Sequence, residues 1–529
     1  MFTWKKIYLK VTHLFSLDKN SRSLRKYLKK SGILRTSKTR QILVEANQSA
    51  SNQLGLSLFL PQLRMALDAK VLSYTMGNPI SLRAVKDEIR ARFGILSGVG
   101  LRKNKTISSN IKPVVKRKTL SDYGISDSDS LDLFAMDGIR IGDLIYDSYL
   151  RKTNKPTIDI GDPDLESLFL ECISYFNSWK KYLDENTVVA ICISHCVYHY
   201  AIPARIAFSQ NIRVFQVTAE TIYSLDKSKT HAYTEFMNFR EQFEILPETQ
   251  KESGIAMAQE RLALRFHGKT GVDMAYSTKS AFESDFNQFE TVITPSNRTK
   301  ILVATHDFFD SPHSYGDNFY PDFYLWLTAL GEISKLTDYD WYIKLHRDSV
   351  ADDTHIIQSL LVRYPRFKLL PKDISHHQII QDGIDFALTV YGTIAMEYPA
   401  LGVKVINASR NNPHVNFEFS ITPESRKSYE EMLLNLTEVS YKIKKSQISE
   451  YYYMAHLHNP KSWIYLDYEK YLSDIGGYQK AVSTDSYIEF LREGSNRREM
   501  NHIREATRNF ISSSDYKLSA THFKSEDSL

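Results

Sequence analysis

Cysteine is nearly absent: Cys172, Cys192 and Cys196 are the only three in 529 residues. Three thiols cannot build a disulfide scaffold, and no secretory pattern opens at Met1, so a reducing cytoplasm is the expected home. Long apolar runs are missing too. None approaches the roughly 18 residues needed to span a bilayer, which predicts a soluble chain. No glycine-rich dinucleotide fingerprint follows a predicted strand. Acids are scarce at one end only: up to Arg40 there are twelve Lys or Arg against Asp18 alone, leaving 55 basic and 61 acidic side chains in the other 489 residues. A nucleic-acid binder would spread its basic charge over a folded face, so nucleic acid is not an expected partner.

What is present describes an ordinary globular chain, 42% hydrophobic and 24% charged, long enough for two or three domains. Residues 1–40 interleave apolar residues with cations. Drawn as helices, Ile7, Leu14, Leu24 and Leu28 form one stripe flanked by lysines, which could lie on an anionic membrane surface or pack on the body of the protein. A second acid-free stretch, residues 102–118, reads as a mobile loop.

From residue 41 onward, strand-length apolar runs alternate with helical patterns. Strands are expected at 41–45, 70–74, 187–193 and 213–217, with helices at 54–67 and 199–209 and a helical region over 235–265. A second alternation starts at residue 301. It places strands at 301–305, 341–345, 367–370, 386–390 and 404–407, with helices between them. The expected fold is therefore α/β: two Rossmann-like doubly wound domains facing a central cleft, 41–295 and 296–475. C-terminal helices over 476–511 are expected to return to the first domain, and the polar tail 512–529 to be disordered.

Ligands of open α/β sheets bind beyond the carboxyl ends of the strands, so the loops after strands carry the functional expectations. After the strand 386–390, Tyr391-Gly392-Thr393-Ile394 permits close backbone approach and opens a helix whose free N–H groups suit a phosphate. Glu397 falls one position beyond the capping-box spacing and is placed to accept from a ribose. The strand 341–345 delivers Lys344, His346 and Arg347, cations and a His donor that suit donor phosphates. The loop 305–316 holds His306, Asp307, Asp310 and His313. Sugar transfer needs a carboxylate or His to deprotonate the acceptor, or a carboxylate nucleophile for a double displacement. Asp310 is the preferred candidate, with Asp307 and His306 behind it. His195 and Glu220, each after a first-domain strand, are candidate acceptor-side bases. A zinc site from Cys192, His195, Cys196 and His199 has no standard spacing, and Asp127-Ser128-Asp129 reads as a solvated turn, so no metal is expected.

These residues together resemble a known family. Residues 303–310 with Tyr315-Gly316, then Trp341-x-Ile343-Lys344-x-His346, then Gly392-Thr393 with residues 397–402, resemble bacterial capsule and surface-polysaccharide glycosyltransferases of the GT-B fold, in particular those that transfer Kdo from CMP-Kdo. The run 137–147 is similar to such proteins as well, and the likeness covers about half the chain. It implies a metal-independent, cofactor-free transfer of a nucleotide-activated sugar to a glycan or glycolipid acceptor at the inner membrane face. It implies a donor held by the C-terminal domain and an acceptor held by the N-terminal one. It places Asp310 as the catalytic carboxylate, His346 near the donor phosphate and Glu397 near the ribose. The family often has Pro after the His of the Lys strand. Arg347 stands there instead, which leaves the donor open among nucleotide sugars. A non-hydrolysing UDP-sugar 2-epimerase and a non-catalytic scaffold of polysaccharide assembly are the alternatives.

Overall fold

A computed structural model describes residues 17–30, 37, 39–108, 119–269, 271, 280, 282, 291–345, 354–465, 467–494 and 497–523. The first lobe contains β1 (Gln41–Glu45), β2 (Lys70–Met76), β3 (Asn104–Ile107), a two-residue hairpin of β4 (Ala135–Met136) and β5 (Ile139–Arg140), β6 (Val188–Ile193), β7 (Arg213–Val217) and β8 (Ile222–Leu225). Its main sheet runs β3-β2-β1-β6-β7-β8, parallel except for β8. The second lobe contains β9 (Lys300–Ala304), β10 (Asp340–Lys344), β11 (Phe367–Leu369), β12 (Phe386–Thr389) and β13 (Lys404–Asn407), all parallel in the order β11-β10-β9-β12-β13.

Both orders reverse direction beside their first strand, the doubly wound pattern. The period of two in each strand divides its side chains between the helical layers on either face. In β9, Ile301 and Val303 enter one core and Leu302 the other; in β10, Trp341 and Ile343 oppose Tyr342 in the same way. In β1, Ile42 and Val44 separate likewise from Leu43. Strands buried on both faces need apolar interior positions, and these have them, with polar residues only at their ends.

The physical lobes do not follow the sequence boundaries. The helix Glu248–Phe266 places Ala258 and Leu262 in a cluster with Met396, Phe417, Phe419 and Tyr452, so it packs on the second lobe although it precedes β9. The chain returns at Ser462 and Trp463, which donate to the Ala219 and Thr218 carbonyls, each at 2.8 Å. Trp463, Tyr465, Tyr471, Tyr487, Phe490 and Phe510 then complete the first-lobe core.

Three expectations are corrected. The basic stretch at 102–118 is not loop throughout, because Asn104–Ile107 forms the edge strand β3 beside β2. Ser21, Leu24 and Leu28 of the helix Lys19–Lys30 are buried, and Leu24 and Leu28 join the first-lobe core, so this part of the basic stripe is not free for a membrane. Ile7 and Leu14 lie outside the described residues. The tail is ordered through residue 523: Ser224 N–H donates to the Tyr516 carbonyl at 2.8 Å and Leu518 N–H to the Ile222 carbonyl at 3.0 Å, extending the sheet beyond β8. Among the described residues no helix is long and apolar enough to cross a membrane.

Candidate active site

β9 and β12 are neighbours in the second sheet, and the chain winds away from them in opposite directions. This is the switch point at which open α/β sheets bind ligands. Thr305 and His306 leave β9; Val390, Tyr391 and Gly392 leave β12. The Val390 N–H donates to His306 Nε2 at 3.2 Å, which makes Nε2 the unprotonated nitrogen. The Thr389 hydroxyl lies 3.1 Å from the same nitrogen and accepts from the Gly392 N–H at 3.1 Å. The His306 ring stacks on Phe323, centroids 4.6 Å apart, and Tyr391 packs against both rings. A β-carbon on Gly392 would come within 2.7 Å of Thr389 Oγ1, so only glycine leaves this crevice open.

The loop after β9 reaches the first lobe. Asp310 Oδ1 accepts from the Tyr198 hydroxyl and from the Ser311 N–H, each at 2.9 Å. Tyr198 follows β6, and its backbone sits at φ 62°, ψ 171°, a region that is essentially reserved for glycine. Such strain costs on the order of 1–3 kcal/mol and persists where surrounding structure enforces it. The Tyr391 hydroxyl lies 3.5 Å from the Ser311 carbonyl, so Asp310 and Gly392 belong to one neighbourhood. Loops from the carboxyl ends of both sheets therefore meet here.

Beside this contact lies a buried ionic cluster shared by the lobes. His313 of the same loop places Nδ1 2.6 Å from Asp147 and Nε2 3.2 Å from Asp132, the latter off the hydrogen-bond line. Arg140 bridges Asp132 and Asp317, 2.7 Å from each. Arg205 pairs with Asp143 at 2.6 Å, and the Tyr146 hydroxyl donates to Asp322 at 2.5 Å. Burial alone would lower the His313 pKa, but Asp147 and Asp132 outweigh it and hold the imidazolium well above the usual histidine range. The helix Gly142–Thr153 supplies Asp143 and Asp147, four residues apart on one face. A β-carbon on Gly142 would fall 1.9 Å from the Leu131 carbonyl, so its absence lets the helix start against that turn.

Other expected site residues take different places. Glu397 is 2% exposed and ion-paired with Arg265, whose Nε lies 2.9 Å away; the pair ties the helix Glu248–Phe266 to the turn after β12. An unpaired buried carboxylate would be costly, and Arg265 satisfies that need without a ribose. Lys344 is buried, with Nζ donating to the Lys372 carbonyl at 2.5 Å. Ile394 is core. Thr393 precedes a helix of seven residues, Ile394–Ala400, and makes no side-chain cap. Asp307 accepts from the Phe309 N–H at 2.9 Å and shapes its own turn. Glu220 takes the Ser51 hydroxyl, with Ser51 Oγ in turn accepting from the Ala219 N–H, so it holds its own turn against the helix Ala50–Leu67. His195 is exposed beside Ser194. His346 and Arg347 lie outside the described residues. Cys192 is core, Cys196 accepts from the Ala232 N–H, and His199 stacks on Tyr175. Asp127 caps the helix Ser128–Asp132. Among the described residues, the metal-capable grouping is Asp474, Glu489 and Glu493, away from this junction.

Reading the sequence alone missed Tyr198, Asp132, Asp147 and Arg265 as site-forming residues. Only the Asp143/Asp147 spacing is a local signal; the rest depends on partners far along the chain.

Two doubly wound lobes joined at the carboxyl ends of their sheets constitute the GT-B architecture. The structure is similar to a β-Kdo 2,4-transferase, KpsC, of Thermosulfurimonas dismutans (11% identity, 51% of this chain and 79% of that one, TM-score 0.31). It is also similar to the UDP-GlcNAc 2-epimerase of Neisseria meningitidis (12%, 79% and 100%, TM-score 0.22) and to the calicheamicin glycosyltransferase CalG4 (12%, 87% and 100%, TM-score 0.22). No protein-family model and no curated protein matches the chain. The fold is established by the strand orders themselves rather than by these matches.

Proposed function

We propose that the chain is a glycosyltransferase that moves a sugar from a nucleotide-activated donor to a growing surface glycan. The observation that carries this reading is the meeting of the β9–β12 switch point with Asp310, held by Tyr198 of the other lobe. The donor occupies the space beside His306 and Gly392, where a β-carbon on Gly392 would press on Thr389. Asp310 is exposed at the lobe boundary and is the group to accept the acceptor's proton, or to attack the donor if configuration is retained. His306 has its Nε2 engaged by the Val390 N–H, so it positions the crevice instead of acting as the free base. CMP-Kdo or a related acidic nucleotide sugar is the donor class to try first, on the resemblance of the loop motifs, and no metal is needed.

Incubation with CMP- and UDP-sugars, with and without a capsule- or lipopolysaccharide-type acceptor, tests the reading. Acceptor-dependent release of the nucleotide is expected. Acceptor-independent interconversion of UDP-N-acetylglucosamine would replace the transferase by a 2-epimerase, and absence of both would leave a scaffold.

A further inference from the structure

The first lobe has its own cavity, of about 250 Å³, where the carboxyl end of β1 meets the helices Lys19–Lys30 and Leu82–Phe93. Its wall includes Asp18, Glu45, Gln48, Asp87, Arg90 and Phe93. The volume is just below that of typical small-molecule sites and suits one sugar ring. Glu45 Oε2 accepts from both the N–H and the hydroxyl of Ser194, each at 2.7 Å. Among the described residues no donor reaches its Oε1. Burial, partly offset by Ser194, raises this carboxyl above the usual glutamate range, as expected of a group that water does not solvate well. Arg90 is engaged by Asp87 at 3.1 Å, and Asp18 accepts from the N–H and the hydroxyl of Ser21; among the described residues neither Asp18 nor Glu45 forms an ion pair, which leaves Glu45 Oε1 as the carboxylate oxygen open to a ligand. Phe93 lines the wall and is 58% exposed, an aromatic side chain within reach of a bound ring. Carboxylates and an amide that accept from hydroxyls, with an aromatic face for the C–H side of a ring, describe a carbohydrate subsite. The same negative charge repels phosphates and uronates.

One loop also links the cavity to Asp310 through hydrogen bonds at its two ends. The loop 194–198 touches Glu45 through Ser194 and Asp310 through Tyr198. Four Cα–Cα steps span at most about 15 Å, to which the Glu45 and Tyr198 side chains add, a separation that an oligosaccharide of several units can bridge. We infer that this cavity binds one uncharged or amine-bearing sugar unit and excludes acidic sugars. Naming that unit part of the acceptor rests on the transferase reading; its binding does not.

Saturation-transfer NMR on the full chain, with methyl glucoside, glucosamine, glucuronate and CMP as separate probes, tests this. Methyl glucoside and glucosamine should bind and glucuronate should not. Gln48→Trp, at an exposed position that tolerates the change, should weaken both sugars about tenfold or more, the equivalent of about 1.4 kcal/mol, while CMP binding stays within about twofold. Glu45→Gln keeps the side-chain shape and removes its charge, so it should lower the preference for glucosamine and admit glucuronate. Glucuronate binding to the wild type as well as methyl glucoside does, no sugar binding at all, or full sugar binding in Gln48→Trp would each overturn the inference. Sugar binding without CMP binding would count against the donor site and support this cavity.

Discussion

His313→Gln is expected to destabilise the protein by about 3–5 kcal/mol, the usual cost of removing one partner from a buried ion pair. Glutamine retains hydrogen-bonding capacity but no charge, and it would leave the fully buried Asp147 without a cation, while Asp132 keeps Arg140. The cost comes mainly from the stranded Asp147 carboxylate, so Asp147→Asn combined with His313→Gln should recover part of the loss. The pH dependence has a defined sign. The folded-state pKa of His313 is raised, so its contribution is complete below the unfolded value, near 6.5, and fades as pH rises toward the folded value. Wild-type unfolding followed by denaturant titration from pH 6 upward should show this decline, and in His313→Gln the decline should start lower, because burial already raises the Asp147 carboxyl to about 6 and no imidazolium remains to offset it. A His313→Gln protein within about 0.5 kcal/mol of wild type, the spread of neutral surface changes, would mean the cluster holds nothing together.

Asp310→Asn is expected to lower sugar transfer by roughly 10²- to 10⁴-fold, the range lost with a general base, and by more if the carboxylate is the nucleophile. The substitution preserves shape and the ability to accept from Tyr198, so nucleotide affinity and thermal stability should change little. Asp307→Asn serves as the contrast: its carboxylate shapes a turn at the Phe309 N–H, and its loss should be felt in stability before rate. Glu397→Ala, which removes the buried carboxylate of the pair with Arg265, should likewise unfold more readily and so cannot report on a ribose contact by lost activity alone. Transfer by Asp310→Asn within about threefold of wild type would remove the carboxylate from the reaction.

The strands were legible wherever burial on both faces forces a continuous apolar run, as in β6 and β9. They were illegible where that pressure is absent. β3 is an edge strand with the sequence Asn-Lys-Thr-Ile in a lysine-rich stretch, and polar edges are how sheets avoid pairing with other chains. Loop positions were legible for a related reason: a turn at a strand's carboxyl end must lie at that edge of the sheet, which brought His306, Asp310 and Gly392 together. Whether a charged side chain faces the junction or its own lobe has no such local rule. Glu397 is taken by Arg265, 132 residues away, and Lys344 by a carbonyl on the next crossover. The leader and tail misled for the same reason: Leu28 packs on the turn at Gly98, and Leu24, Leu28 and Leu518 share a core with residues that return from the second lobe at Trp463, partners that no local rule names.

The central claim is that the crevice at the β9–β12 switch point holds a nucleotide. Calorimetric titration with CMP, UDP and their sugar derivatives tests it most directly, using wild type and Gly392→Val. The account predicts saturable binding of at least one nucleotide by the wild type and its loss in Gly392→Val, where the added side chain meets Thr389 and His306. No binding by the folded wild type, or equal binding by both proteins, would contradict it.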